Sequence, residues 1–582
     1  MLNQLSELLG GVPPQQLRTY LIIAAAIALM VLLGDGGGNK LAKSFKGGRK
    51  ETKAARQRAL AQMKAGIYNE VSLSTVAPFK GQKKRSSPNI LYITDAQRGL
   101  AAIGAPNSGK TFSIIDPATR SGIDQGFPVI LYDFKYPDQT AKLAAYAKDR
   151  GYEVHIFAPG FKEGGTCNLL DFMESETDAL MARQIAATLN ANASKSKNAN
   201  RDEFFGDAGD QLVQAVLQLS KSLPRPDLLT ASVLLSLHKL PERIIKAKEL
   251  SDKDGYPDWS LSIWVYMAFN QLLQIKDSEK TLGGVLATAS RIFSKFMVPE
   301  LMSAFCGETT IPLSMHGKKL LIFGLDQNRR DAISPILAAT LHMVVAKSLY
   351  EERKDPLLLV LDELPTIHLP HLVKWMNESR YKGLCTILGF QNIGQIEEAY
   401  GRGILQAIMS GCATKAIFNP QDKNSAEYFS GYLGEEEIKT KQKSKGYGKG
   451  GTSRNVSMNL NKRALVEAAE LNRFPIGRMV YINPGYASGQ DAYIPLVVKG
   501  SIPKSDEKKV KISKRRWPKL RAQYVQLSST QRIEKDEIEE RFSYLKKMFS
   551  LDDAERPGAL PLPGEPYIKD PALLRRIATE VF

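Results

Sequence analysis

The chain is 582 residues long, 43% hydrophobic, and carries a formal charge of +18. That length excludes one small domain, the hydrophobic share excludes a disordered polymer, and two or three cored domains are expected. The charge points to a polyanionic partner, either nucleic acid or an acidic membrane surface. Four scattered cysteines, with no C-x-x-C pair, argue against a zinc site or disulfide framework and fit a reducing cytosol. The six histidines show no metal-ligand spacing.

In chain order, residues 20–33 are an uninterrupted apolar run, preceded by Arg18 and followed by Gly34-Asp35-Gly36-Gly37-Gly38. As a helix this run spans about 21 Å against a hydrocarbon core of about 30 Å. Thr19, Gly34 and a snorkelling Arg18 narrow the gap. Residues 1–38 are therefore expected to form one membrane anchor. Residues 40–64 carry nine basic residues against one acid, Glu51, which places the long remainder in the cytoplasm. The whole basic segment, 39–72, suits anionic headgroups.

From about residue 73, apolar runs alternate with helical stretches, the pattern of a parallel sheet with crossover helices. Strands are expected at 100–103, 127–133 and 152–157, so 73–170 is read as the first part of a nucleotide-binding domain. From 171 to 300 the strand-like runs vanish and helical periodicity takes over, with helices near 210–219, 230–237 and 260–273. This reads as an all-α domain inserted in the sheet. Strands resume at 319–325, then 356–363, 385–391, 414–419 and 479–482, with a helix over 335–350. Residues 301–500 are thus the second part of the nucleotide-binding domain. Residues 439–462, rich in Lys, Gly and Ser, read as a mobile loop. Residues 501–582 read as a basic tail with one helix near 530–549.

The strand at 100–103 runs into Gly104-Ala105-Pro106-Asn107-Ser108-Gly109-Lys110-Thr111, which fits G-x-x-x-x-G-K-[ST]. In such a loop the backbone N–H groups face phosphates, Lys110 reaches the β/γ oxygens, and the Thr111 hydroxyl ligates Mg²⁺. The helix opening at Thr111 adds a favourable dipole. The apolar strand 357–361 ends in Asp362-Glu363, at the sheet edge where open α/β folds bind ligands. Asp362 is expected to hold the Mg²⁺ shell and Glu363 to polarise an attacking water.

Gln391 ends the next strand and is either a γ-phosphate sensor or a polar strand end. Arg380 lies between those two strands and reads as a helix-end surface charge or an arginine finger. Asp133 and Lys135 either support the nucleotide pocket or pair with each other. The basic clusters Lys83-Lys84-Arg85, 439–449 and 508–521 read as solvated faces or contacts to phosphate backbones. Trp517 and Tyr524, in and just after the last cluster, permit base stacking.

These features together resemble the TraG/TraD class of type IV coupling proteins, the conjugative DNA-transfer ATPases. The residues carrying the resemblance are G-A-P-N-S-G-K-T at 104–111, V-I-L-Y-D-F-K at 129–135, L-L-L-V-L-D-E-L at 357–364 and K-G-L-C-T-I-L-G-F-Q-N-I-G-Q at 382–395, extended by Tyr400-Gly401 and Phe418-Asn419-Pro420-Gln421-Asp422. It covers about residues 90–500. The resemblance implies an α/β fold: a RecA-like P-loop NTPase sheet with an inserted all-α domain and an N-terminal transmembrane helix. It implies ATP and Mg²⁺, a ring hexamer at the bacterial inner membrane, and a single-stranded DNA substrate with its relaxase, handed to the type IV secretion channel. Lys110, Thr111, Asp362 and Glu363 become the ATPase core, Gln391 the sensor, and Arg380 the trans-acting Arg. Two features depart from the pattern. Many members have two spans with a small periplasmic domain between them. Asp133-Phe134-Lys135-Tyr136-Pro137 stands where D-P-K-G-E is more usual. A FtsK/HerA-like duplex translocase and a nucleotide-binding scaffold without turnover are the competing readings.

Overall fold

The computed structural model describes residues 73–76, 90–193, 203–253, 260–448, 451–486, 493–500, 502–527 and 535–552. The expected anchor, the basic segment behind it and the Lys83-Lys84-Arg85 cluster lie outside the described residues. The chain divides into two compact units, and the larger, Lys50–Phe429 with Glu467–Phe582, holds the main sheet.

That sheet is built on continuous apolar runs, because both of its faces are covered. The strands, in chain order, are β1 (Leu73–Val76), β2 (Ile90–Ile93), β3 (Leu100–Ile103), β4 (Val129–Asp133), β5 (Glu153–Phe157), β6 (Lys319–Gly324), β7 (Leu357–Leu361), β8 (Leu384–Phe390), β9 (Thr414–Ile417), β10 (Glu435–Gly448), β11 (Gly451–Ala464), β12 (Arg478–Ile482) and β13 (Leu496–Lys499). Nine of them form one sheet in the order β13-β12-β9-β3-β8-β7-β4-β6-β5. From β9 to β5 all neighbours are parallel. β12 pairs antiparallel with both β9 and β13. β1 and β2 make a separate antiparallel pair.

Alternate strand residues, among them Leu100, Ala102, Val129, Leu131, Leu358, Val360, Cys385 and Ile387, build one core with Ile114 of the Thr111–Ile115 turn and with Ala118, Leu143 and Ala147 from the helices Asp116–Asp124 and Asp138–Lys148. The helix Arg330–Tyr350 is buried along most of its length. It begins before the expected 335, because Pro335 is tolerated inside the helix rather than opening it. It is apolar and long enough to cross a membrane, yet most of it lies within the fold.

Between β5 and β6 the described elements are helical, from Ala179–Ala193 through Pro299–Met302, apart from a short 3₁₀ turn, Leu169–Phe172. Beyond residue 501 an unexpected helix, Lys504–Leu527, is followed by Lys535–Met548, close to the helix expected near 530–549. The first packs on Asp138–Lys148 and places Trp517, Leu520 and Tyr524 in the core around the sheet. Trp517 is 6% exposed and Tyr524 3%, so neither ring is free to stack on a base. Tyr524 Oη donates to the Val154 carbonyl of the edge strand β5. In the second helix, Arg541 binds both oxygens of Asp227, which caps the Leu228–Leu235 helix of the insertion.

The described part of the smaller unit is Ser430–Val466. Here the loop expected at 439–462 is instead a hairpin of β10 and β11, in register from Glu435↔Ala464 to Gly448↔Gly451. β10 carries little apolar alternation, and although Val456, Met458 and Leu460 alternate with polar residues in β11, they are outnumbered over 439–462 by Lys, Gly and Ser.

Candidate nucleotide-binding site

β4, β7, β8 and β3 are consecutive neighbours in the sheet. Their parallel course brings Asp133, Asp362-Glu363, Gln391 and the Gly104–Thr111 loop to one edge. The loop is fixed from three sides: Gly104 N–H donates to Phe390 O (3.1 Å), Ala105 N–H to Asn419 O (2.9 Å), and Gly477 N–H to Ser108 O (2.8 Å). Gly109 has φ +99°, and a Cβ there would lie 2.8 Å from Gly477 N, so a side chain is excluded by both conformation and contact. A π-helical turn, Thr111–Ile115, runs into the Asp116–Asp124 helix.

Lys110 is buried, and its Nζ donates to Glu363 Oε1 at 2.6 Å. Thr111 Oγ1 donates to Asp362 Oδ2 at 2.7 Å. Gln391 Nε2 reaches both oxygens of Glu363, at 3.3 and 3.2 Å. The expected lysine, hydroxyl, two acids and glutamine thus meet in one cleft of about 640 Å³. Burial pushes the Asp362 carboxyl up to about 6, against the pull of Lys110 and the Thr111 bond. Its Oδ1 is buried with no hydrogen-bond partner among the described residues.

Glu363 adopts a left-handed backbone (φ +67°), unusual for a side chain of its size. Thr366 holds it there through N–H (3.0 Å) and Oγ1 (2.6 Å) bonds to the Glu363 carbonyl. The loop that follows is fastened at two further points. Tyr400 Oη donates to Ile367 O (2.7 Å), while Asn192, on the inserted Ala179–Ala193 helix, exchanges two bonds with the His368 backbone (2.8 and 3.0 Å). Glu363 and Gln391 also border a second cavity of about 880 Å³, whose walls include Asn192 and Lys295 of the insertion.

Both expected pocket residues, Asp133 and Lys135, line the cleft. Asp133 accepts from the Thr140 N–H (2.9 Å) and Oγ1 (2.7 Å), and burial lifts its carboxyl to about 6. It thereby holds the start of the Asp138–Lys148 helix, which presents Gln139. Gln139 Nε2 donates to Asp362 Oδ2 (3.2 Å) and Asp116 Oδ1 (3.3 Å), a link sequence reasoning missed. The usable signal was its place in the first turn after a strand that ends at the ligand edge. Tyr136, in the departing Asp133–Pro137 stretch, packs edge-on against Phe161 and Trp517.

Arg380 is not among the residues lining the cleft. Its Nε donates to Met376 O (2.8 Å) and its Nη2 to Gly411 O (3.1 Å), closing the ends of two helices. Two large apolar side chains on the cleft wall stay exposed, Phe112 at 52% and Ile476 at 69%.

Sheet and cleft together define the nucleotide-binding fold of P-loop NTPases. Residues 267–482 match the family model of the type IV secretion-system coupling protein DNA-binding domain. That span holds Asp362, Glu363 and Gln391 but not the phosphate loop. The chain is 28% identical to coupling protein TraD of Escherichia coli (strain K12) over 149 residues, 25% of this chain and 21% of TraD. It is 25% identical to conjugal transfer protein TraG of Agrobacterium fabrum (strain C58) over 280 residues, 46% of this chain and 41% of TraG. It therefore spans a fifth to about two-fifths of these curated relatives. The structure of plasmid coupling protein TrwB in complex with ADP and Mg²⁺ is similar at a TM-score of 0.54 and 16% identity, over 80% of this chain and 96% of that one. The unbound monoclinic form of TrwBdeltaN70 gives 0.53. The chain shares the RecA-like fold of these coupling-protein structures, and its residues 267–482 are similar to the type IV coupling protein DNA-binding domain.

Proposed function

We propose that this chain is a membrane-anchored ATPase that couples relaxase-bound single-stranded DNA, and with it protein effectors, to a type IV secretion channel in conjugation. It works as a ring hexamer at the bacterial inner membrane, its bulk in the cytoplasm. The observation that carries the reading is the meeting of Lys110, Thr111, Asp362, Glu363 and Gln391 in one cleft at the sheet's ligand edge. The relatives' names supply the transfer pathway, and the charge of +18 supports a DNA substrate.

ATP and Mg²⁺ suit this donor set. Thr111 Oγ1 and Asp362 Oδ2 are adjacent hard oxygens, and the buried Oδ1 of Asp362 has no hydrogen-bond partner among the described residues. Thr111 and Asp362 would hold the metal, which when bound neutralises phosphate charge. Lys110 and the loop N–H groups would bind the phosphates, competing with Glu363 for the ammonium. Glu363, freed from Lys110 and steadied by Gln391, would orient a water and take its proton. Arg380 is proposed to serve a neighbour's site, as in other nucleotide-bridged rings.

The test is turnover by the parent and by Glu363→Gln. The parent should hydrolyse ATP with stimulation by single-stranded DNA. The variant should still bind nucleotide but turn over about 10²–10⁴-fold more slowly. A parent stimulated only by duplex DNA would favour the FtsK/HerA-like reading. A parent that binds nucleotide without turnover would leave a scaffold.

A further inference from the structure

The Lys504–Leu527 helix carries cations on all but its buried face, and they have two different fates. Lys514, Arg516 and Arg521 reach back to Asp138, Asp149 and Glu163 of the nucleotide-binding core (3.3, 2.7 and 2.7 Å), and Lys509 pairs with Asp506 of its own helix (3.4 Å). Lys504, Lys508, Lys511, Arg515 and Lys519 are exposed, and none has an ion pair or hydrogen bond among the described residues. Their spacing is i, i+4, i+7, i+11 and i+15. At 3.6 residues per turn these five fall within an arc of about 80°, on a line about 22 Å long. The buried residues Ser513, Trp517, Leu520 and Tyr524 lie on the opposite face. The helix's two acids, Asp506 and Glu507, lie outside the arc.

We infer that this stripe is a nucleic-acid backbone contact, distinct from the span at 267–482 that matches the family's DNA-binding domain. The inference rests on the DNA-transfer reading above. Charge complementarity identifies the partner as a linear polyanion. One DNA strand in a duplex presents a phosphate about every 3.4 Å of axis, so about six face a line of this length, and an extended single strand is likewise linear. A membrane surface fits less well. Helices that lie on bilayers insert a broad apolar face, and here that face is committed to the protein core. The narrow charged line that remains matches a strand better than a plane of headgroups.

The test compares the full chain in neutral detergent with two variants. In one, Lys504, Lys508, Lys511, Arg515 and Lys519 all become Gln; in the other, Lys509, Lys514 and Arg516 become Gln. Binding of a labelled mixed-sequence single-stranded oligonucleotide is followed by anisotropy across a salt series. Unchanged nucleotide binding and thermal midpoint certify the fold. Loss of five phosphate contacts should make the slope of log affinity against log salt about 3.5 shallower in the first variant. The second should change the slope by less than about one. An unchanged slope in the first, or an equal loss in the second, overturns the inference. So does a stripe that governs affinity for phosphatidylserine vesicles while leaving the oligonucleotide slope alone. If the parent binds no DNA, the transfer reading itself falls; if it binds and ignores the stripe, only this inference does.

Discussion

Gly389, on β8, is where a single methyl group tests the metal-site assignment. A Cβ there would lie 2.5 Å from Asp362 Oδ1, 2.9 Å from Ile115 Cδ1 and 3.2 Å from Asp362 Cα. Its φ lies outside the left-handed region, so Gly389→Ala is backbone-compatible and acts by contact alone. The Asp362 backbone follows a strand paired to β8 and cannot retreat. Ile115 can rotate, but the carboxylate is closest and must turn. Turning moves Oδ2 off Thr111 (2.7 Å) and Gln139 (3.2 Å). Overpacking of this kind costs about 1–3 kcal/mol. Any equilibrium that needs the carboxylate in place should therefore weaken about five- to a hundredfold. Calorimetric titration with ADP in Mg²⁺ and in chelator separates the two contributions: the Mg²⁺-dependent gain in affinity should shrink by that factor, while metal-free affinity holds. If a folded Gly389→Ala chain keeps the parent's Mg²⁺ gain, Asp362 does not hold the metal.

Further outcomes follow from other parts of the molecule. Burial lifts the Asp362 and Asp133 carboxyls from the usual carboxylate range near 4 up to about 6. Their contribution to stability is full below pH 4 and is lost as pH rises through 6, whereas metal binding needs the ionised Asp362 and gains over the same interval. Thermal midpoints with and without Mg²⁺ and ADP should thus diverge from pH 5 to pH 7; parallel curves would contradict this. Trp517→Ala should destabilise by about 3–5 kcal/mol in denaturant titration, as truncating a core aromatic does; a loss under about 1 kcal/mol would mean the helix is not part of the core. Mixing Arg380→Ala chains with Glu363→Gln chains should restore part of the lost hydrolysis. No recovery despite shown co-assembly would leave Arg380 to its bonds with Met376 and Gly411.

What the sequence disclosed was local. The phosphate loop and the acidic strand are contiguous, and each announces its own strand, turn and chemistry within a dozen residues. The parallel sheet was legible for the same reason, since buried strands such as Leu357–Leu361 read as unbroken apolar runs. Gln139 was invisible because its partner Asp362 lies 223 residues away, and only the sheet order joins them. On the Lys504–Leu527 helix the apolar stripe of Trp517, Leu520 and Tyr524 is present at helical spacing, but nine basic residues dilute it and the charge dominated the reading. Arg380 shows the converse limit: its type and position suited a finger, while its neighbours at Met376 and Gly411 emerge only when two helix ends converge.

The Lys504–Leu527 helix also sets the order in which the molecule can be finished. Tyr524 closes on Val154, 370 residues earlier, and Trp517 on Tyr136. During synthesis at about 5–20 residues per second, β5 waits roughly 20–70 s for the side chain that covers its edge. Over that interval the edge strand and the apolar flank of the Asp138–Lys148 helix stand open to solvent and to other nascent chains. Any chain ending before residue 517 remains in that condition, so the β5 edge is covered only once the Lys504–Leu527 helix has been made.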